Sequence, residues 1–325
     1  MTKDRRIHQT VRTVICKECG LVFLNPGPTE EGYLGYYQKT LGVRATPPLR
    51  ENIIRKKSVL ASFQIRFIKD CLGDISSMDT VDVGSGWGGF LYYLKPEVGT
   101  LVATEVLEPV KMYIEKEFQC PLSLVTRLSD GFPPASFDLI TATAVIEHYT
   151  NPLPVVLDYA QALRPGGSLF LFTPDVKGMC FSLGIDQYFK FLHPYNYSVN
   201  SLRSLLSKAG FTDFHYWSSQ PDYSLRSLRN PAHIVAGNIL MVAKKGKTPG
   251  QDEDLYKDDP AEIVEIFKRH QIIEDEYQKR RLIWLSPWAK PLRAAARLLP
   301  KSSRDQYLSM VEQYETRYKS IVGVL

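Results

Sequence analysis

The sequence predicts an α/β fold, a doubly wound and mostly parallel sheet with helices on both faces. Three observations predict it. Five short strand-like runs, Thr80 to Val83, Thr100 to Thr104, Leu122 to Thr126, Phe137 to Thr143 and Ser168 to Thr173, alternate with stretches of helical spacing. The runs are apolar without clean in-and-out alternation, as a sheet covered on both faces requires. The first run ends in a glycine-rich turn, Gly84-Ser85-Gly86-Trp87-Gly88-Gly89, that opens a helix.

Taken in order, residues 1 to 50 read as an irregular segment, with Pro26, Pro28, Pro47 and Pro48 breaking any long element. A helix is expected from Glu51 to Cys71, leading into the first strand. The helix from Pro152 to Leu163 starts on a proline suited to a first turn and shows Val155, Val156, Tyr159 and Leu163 on one face. Arg164-Pro165-Gly166-Gly167 stops it. Ser198 or Asn200 caps a further helix with Leu202, Leu205, Leu206 and Ala209 on its apolar face, and Gly210 supplies a left-handed exit. Phe211 to Trp217 and Asn238 to Ala243 are two late strands, which bring the sheet to seven. The connection between them, rich in Ser, Arg and Pro, reads as an exposed loop. A polar linker follows Lys244, so we divide the chain into 1–50, 51–246 and a helical C-terminal extension, 247–325.

The 325 residues suffice for a full α/β core with appendages, and 44% apolar with 23% charged residues is ordinary globular composition. No apolar stretch follows the basic start, which argues against a secretory signal, and no run is long enough to cross a bilayer. Five scattered cysteines, Cys16, Cys19, Cys71, Cys120 and Cys180, argue for reduced thiols in the cytoplasm. A net charge of +5 is too weak to call for nucleic acid. Oligomeric state is left open, a homo-oligomer included.

The functional signal is the turn after the first strand, Val81-Asp82-Val83-Gly84-Ser85-Gly86 with Gly88 and Gly89. Its glycines permit a sharp turn and let a ligand lie against main chain. Glu105 ends the next strand, where its carboxylate accepts hydrogen bonds from vicinal ribose hydroxyls. Together they describe a site for an adenosine-containing cofactor. Gly84-x-Gly86-x-x-Gly89 also matches a dinucleotide fingerprint, but Asp82 would repel a pyrophosphate and suits a cationic methionine moiety.

This strand and turn resemble motif I of class I S-adenosylmethionine-dependent methyltransferases. The resemblance extends to Ser136-Phe137-Asp138-Leu139-Ile140, to Glu147-His148 and to Leu163-Arg164-Pro165-Gly166-Gly167, in the family's order, over roughly residues 55 to 245. It implies the sheet order 3-2-1-4-5-7-6 with strand 7 antiparallel. It also implies S-adenosylmethionine as cofactor, at the carboxyl ends of strands 1 and 2, held by Asp82, Gly84, Ser85, Gly86, Gly88, Glu105 and Glu147. Where the family commonly has an acidic residue after strand 3, this chain has Thr126, and Asp130 is assigned the adenine contact instead. Cys16-Lys17-Glu18-Cys19-Gly20 with Leu21 to Pro26 resembles the preamble of a bacterial subgroup related to ubiquinone-biosynthesis methyltransferases, many of which modify surface sugars. That subgroup has a second cysteine pair that is missing here. Two thiolates do not close a tetrahedral site and His8 is a poor substitute, so the pair reads as a vestigial turn and no metal centre is expected.

Methyl transfer from a sulfonium needs positioning above all, and a base where the acceptor is a hydroxyl. His148, after the fourth strand, either takes that proton or shapes the cofactor pocket. His193 lies in Phe191 to Ser198, a stretch resembling the family segment that closes over the substrate, and is the second candidate base. Asp175, Tyr195 and Tyr37 are candidate substrate contacts, and Tyr33, Tyr36 and Tyr37 form either an aromatic lid or ordinary packing. The expectation is O-methylation of a sugar or glycan-precursor hydroxyl. Sugar N- or C-methylation, quinone-type O-methylation and a non-catalytic cofactor-binding or docking module stay open as alternatives. The basic, tryptophan-bearing stretch 279–304 reads as a peripheral membrane contact, a packed helix or a dimer contact.

Overall fold

The computed structural model describes residues 2–4, 9–42, 49–178, 189–218, 237–246 and 256–271. His8, Cys180, the loop 219–236 and the basic stretch 279–304 lie outside them. In chain order the elements are strands β1 (Thr2–Asp4), β2 (Gln9–Val11), β3 (Thr13–Ile15) and β4 (Val22–Leu24), then helices α1 (Glu30–Gly42) and α2 (Arg50–Leu72). The central domain follows with β5 (Asp79–Val83), α3 (Leu91–Leu94), β6 (Thr100–Glu105), α4 (Glu108–Phe118), β7 (Leu122–Leu124), β8 (Phe137–Thr143), α5 (Pro152–Ala162) and β9 (Leu163–Pro174). Then come β10 (Tyr195–Asn196), α6 (Val199–Lys208), β11 (Phe211–Ser218) and β12 (Asn238–Lys245), and residues 260–271 form a last described helix, α7.

Seven strands form one sheet in the order β11-β12-β9-β8-β5-β6-β7. Strands β5 to β9 run parallel, and β12 is antiparallel to both its neighbours, β9 and β11. Counted along the domain, this is 3-2-1-4-5-7-6 with strand 7 reversed, as expected. The strands are apolar on both faces because each face carries its own core. Along β9, Leu169 and Leu171 enter the cluster under α5 and α6, while Phe170 and Phe172 enter the one under α2, α3 and α4. Each such side chain, taken fully out of water, contributes roughly 1.5–3 kcal/mol, so the alternation stabilises both layers at once.

Local signals explain the element ends. Ser198, of the two candidate caps, makes a reciprocal capping box with Ser201 at the start of α6. Gly210 follows that helix at φ +88°. The stop signal Arg164 to Gly167 becomes an irregularity within β9, and Arg164 forks between Asp79 at 2.9 Å and Asp138 at 2.8 Å. That fork ties the amino ends of β5, β8 and β9 together, at the edge opposite the glycine turn.

The N-terminal segment, read as irregular, carries short regular elements that pair among themselves and, through β4, with a strand distant in sequence. β4 pairs with β3 and with β10 to make a small separate sheet. Ile263 of α7 is fully buried against Val22, Val176 and Phe189. Asp258 accepts from Ser198 and Asn200 and donates its own N–H to the Cys19 carbonyl. The start of the C-terminal extension therefore packs on the N-terminal strands and on the cap of α6.

Asp158 of α5 accepts from the buried Leu128 N–H at 2.6 Å and the Ser129 N–H at 3.0 Å, which holds the turn after β7 in place. Asp158→Ala would orphan two backbone donors, at about 1–3 kcal/mol for a buried group. We expect a stability loss of about 2 kcal/mol in urea denaturation, and a loss too small to measure would refute the anchoring role.

Candidate active site

The glycine turn forms because β5 ends at Val83 and the chain must reverse at once. Gly84 and Gly86 stand at φ +62° and +50°, conformations that side chains resist. A Cβ on Gly84 would lie 2.8 Å from Val145, whereas one on Gly86 would meet nothing within 4 Å. Open space therefore lies over bare main chain at Gly86. Glu105, at the end of β6, accepts the Gly86 N–H on Oε1 at 3.1 Å and the Val106 N–H on Oε2 at 2.7 Å. Its carboxyl is pushed up by burial, against the pull of those donors.

Asp82 is fully buried on β5. Thr141 donates to its Oδ1 at 2.7 Å, while Oδ2 has no hydrogen-bond partner among the described residues. Burial, with a smaller push from the Glu105 charge, raises its carboxyl to about 7. An orphaned acceptor beside the glycine turn is what a cationic ligand group would satisfy. The buried Ser85 hydroxyl is likewise without a partner there.

A cavity of about 200 Å³ opens from this turn. Val83, Gly84, Thr104 and Glu105 form one wall, and Tyr33, Tyr37 and His148 another. His148 Nδ1 lies 2.7 Å from the Leu192 carbonyl oxygen and 3.0 Å from the Tyr33 hydroxyl, which itself donates to the same carbonyl at 2.9 Å. A carbonyl accepts only, so Nδ1 carries the proton and the lone pair of neutral His148 is on Nε2. Glu147 is buried behind it, with Thr173 donating to Oε2 at 3.0 Å, and the His193 ring stands 5.0 Å from that of His148. Burial pushes the Glu147 carboxyl up and the Tyr33 and Tyr37 hydroxyls well up. Both tyrosines are therefore neutral donors.

The structure brings most of the expected residues together. Gly84, Glu105, Tyr37 and His148 line the cavity, Asp82, Ser85 and Gly86 flank that lining in the same strand and turn, and Glu147 and His193 back His148. Four residues fall elsewhere. Asp130 is exposed at the end of the turn that Asp158 anchors, and Thr126 and Arg127 line the cavity in its place. Tyr195 pairs with β4 and stacks between Phe23 and Tyr197. Asp175 is buried, accepting from Ser218 and from the Lys177 N–H. A Cβ on Gly88 would meet Ile114 and Phe118 of α4, so that glycine admits a helix, not a ligand. Sequence reasoning missed Glu30, Arg127, Tyr149 and Asn151, which also line the cavity. Only the Asn151-Pro152 helix start carried a signal for any of them.

A seven-stranded sheet of this order, with a carboxylate-braced glycine turn at its carboxyl edge, defines the class I methyltransferase type of Rossmann-like domain. Residues 56–216, just under half of the chain, match the family model described as a methyltransferase domain. The ubiquinone biosynthesis O-methyltransferase of Idiomarina loihiensis is 30% identical over 132 residues, 38% of this chain and 53% of that protein. The nocamycin O-methyltransferase of Saccharothrix syringae is 32% identical over 118 residues, 34% of this chain and 42% of that protein. The chain thus spans about half the length of the curated relatives it matches. Phosphoethanolamine N-methyltransferase 2 of Haemonchus contortus, solved with S-adenosyl-L-methionine, shares the fold with TM-score 0.50 at 14% identity, over 70% of this chain and 62% of that one.

Proposed function

We propose that this chain is an S-adenosylmethionine-dependent methyltransferase acting on a hydroxyl of a small acceptor, specifically a sugar or glycan precursor. The observation that carries the reading is one cavity lined both by Gly84 and Glu105 and by His148. Glu105 would hold the ribose hydroxyls, Asp82 would offset the cofactor's positive charge, and the Gly86 main chain would bed it. The bound cofactor supplies an activated methyl group. The chain's own part is to hold the acceptor oxygen in line and to activate it through the Nε2 side of His148. The aromatic faces and neutral hydroxyls of Tyr33 and Tyr37 suit a ring that bears several hydroxyls. The N-terminal Cys16 to Pro26 stretch, similar to that of sugar-modifying enzymes, supports the same acceptor. Quinone-type O-methylation is the second reading, favoured by the ubiquinone O-methyltransferase relatives.

No helix among the described residues is long and apolar enough to cross a membrane, and their four cysteines are free. We accordingly read the enzyme as working in the cytoplasm. Calorimetry is expected to show S-adenosylhomocysteine binding and no NAD binding. Incubation with S-adenosylmethionine labelled on the methyl group is expected to label nucleotide-linked sugars in preference to catechols. NAD binding without S-adenosylhomocysteine binding would overturn the enzyme class, and label entering catechols alone would overturn the sugar.

Asp82 adds a pH dependence. In the unliganded protein its raised carboxyl favours folding most below the ordinary aspartate range, and that contribution falls away as pH rises toward about 7. Binding of the cationic cofactor has the opposite sign, because the ionised form attracts it. S-adenosylmethionine affinity should therefore rise as pH passes through about 7, by at most about tenfold per unit below that point. Asp82→Asn should flatten the profile, and an unchanged slope in the variant would rule Asp82 out as its source.

A further inference from the structure

At the His148 wall of the cavity, Glu147, His148 and His193 each bring one ligand-type atom within 4.8 Å of the others. This is no exposed acidic patch, since Glu147 is 2% and His193 6% exposed. Around one cation with bonds of about 2.0–2.2 Å, donor atoms at tetrahedral angles stand about 3.4 Å apart, so a pair at the 4.8 Å limit would have to close by more than about 1 Å on binding. The ring orientation is already set. His148 Nδ1 is committed to the Leu192 carbonyl at 2.7 Å, which leaves Nε2 as the donor atom, and Thr173 orients the Glu147 carboxylate. Imidazole ligands are held in this way, with one ring nitrogen on a carbonyl and the other on the metal. A buried carboxylate favours a positive charge beside it. Two imidazoles and one carboxylate also form a donor set known from catalytic sites with positions left open for substrate. His148 belongs both to the cluster and to the cavity wall, which puts the cluster in reach of the acceptor.

We propose that Glu147, His148 and His193 bind a first-row divalent cation, and that this cation takes the acceptor's hydroxyl oxygen as a further ligand. The proposal rests on the methyltransferase reading above and adds how the acceptor is activated. On the cation the hydroxyl loses its proton to solvent. The oxygen's electron pair then forms the new O–C bond, the methyl C–S bond breaks with its pair passing to sulfur, and the products are a methyl ether and S-adenosylhomocysteine. His148 thus acts through the cation and does not itself accept the proton. This departs from the sequence reading, which expected no metal centre in the chain.

The test uses the full chain and Co2+ as probe. Wild-type protein is expected to bind one equivalent, with visible d–d bands and no thiolate charge-transfer band in the near ultraviolet. His193→Ala and Glu147→Gln should each weaken Co2+ by roughly tenfold or more, while in His193→Ala the S-adenosylhomocysteine affinity, read by calorimetry, stays within about threefold of wild type. Cys16→Ser with Cys19→Ser should leave Co2+ binding unchanged. In the wild-type chain, independent of any variant's folding, substoichiometric Mn2+ should broaden the ring NMR signals of His148 and His193 ahead of other histidines. No uptake of Co2+, a thiolate band lost with the cysteines, or sharp His148 and His193 signals would each overturn the proposal. A chain that binds S-adenosylhomocysteine but no cation sinks the cation alone. One that binds neither sinks the underlying function as well.

Discussion

Glu105→Ala should weaken S-adenosylhomocysteine binding by about a hundredfold or more, the largest functional loss expected from any single change in the cofactor wall. Two ribose hydroxyls donating to a carboxylate contribute about 1.5–3 kcal/mol each, and about 1.4 kcal/mol is tenfold in affinity. Glu105 also braces the turn through the Gly86 and Val106 N–H groups, at 3.1 and 2.7 Å. In the alanine variant those donors face the cavity, where water replaces the carboxylate at small cost. The loss should therefore show in calorimetry far more than in thermal stability. Glu105→Gln keeps the shape but loses charge assistance, so it should fall between the two. An alanine variant that binds within about threefold of wild type would remove Glu105 from the cofactor site, and with it the enzymatic reading.

Two substitutions in the same turn should fail in opposite ways. Gly88→Ala should destabilise the fold by about 2–5 kcal/mol, from a left-handed backbone penalty of about 1–2 and overpacking of about 1–3. Its added Cβ would stand 2.6 Å from Ile114 and 2.8 Å from Phe118, both buried under the sheet, at φ +76°. Gly86→Ala carries only the backbone penalty of about 1–2 kcal/mol, because its Cβ would meet no atom within 4 Å. That same methyl enters the space assigned to the cofactor, so Gly86→Ala should lose most S-adenosylhomocysteine affinity while keeping a cooperative unfolding transition. Urea denaturation and calorimetry on the pair separate a packing glycine from a ligand-bearing one. Equal stability losses with intact binding in both would show that the cofactor does not lie on Gly86.

How far the site was legible follows from how local each signal is. The strands, the glycine turn, Asp82 two residues before it and Glu105 at the next strand end are all set by short-range rules. Apolar runs, positive φ and a polar residue at a strand terminus can be read without a partner. Gly88 and Asp130 show the limit of that reasoning. Both occupy sensible motif positions, yet α4 fills the space beside one, and Asp158, from another helix, turns the other outward.

The amino-acid sequence by itself determined the sheet, its order through the family resemblance, and the glycine turn with Glu105 beside it, because these depend on periodicity and on turns a few residues long. Only the tertiary structure decided the acceptor wall. Tyr33 meets His148 across 115 positions of chain, and the Leu192 carbonyl meets it across 44. Contacts at such separation follow from how layers pack, and no local rule places an α1 tyrosine on a histidine after β8. The tautomer of His148 and its grouping with Glu147 and His193 arise there, where packing has already offset the entropy of bringing distant segments together.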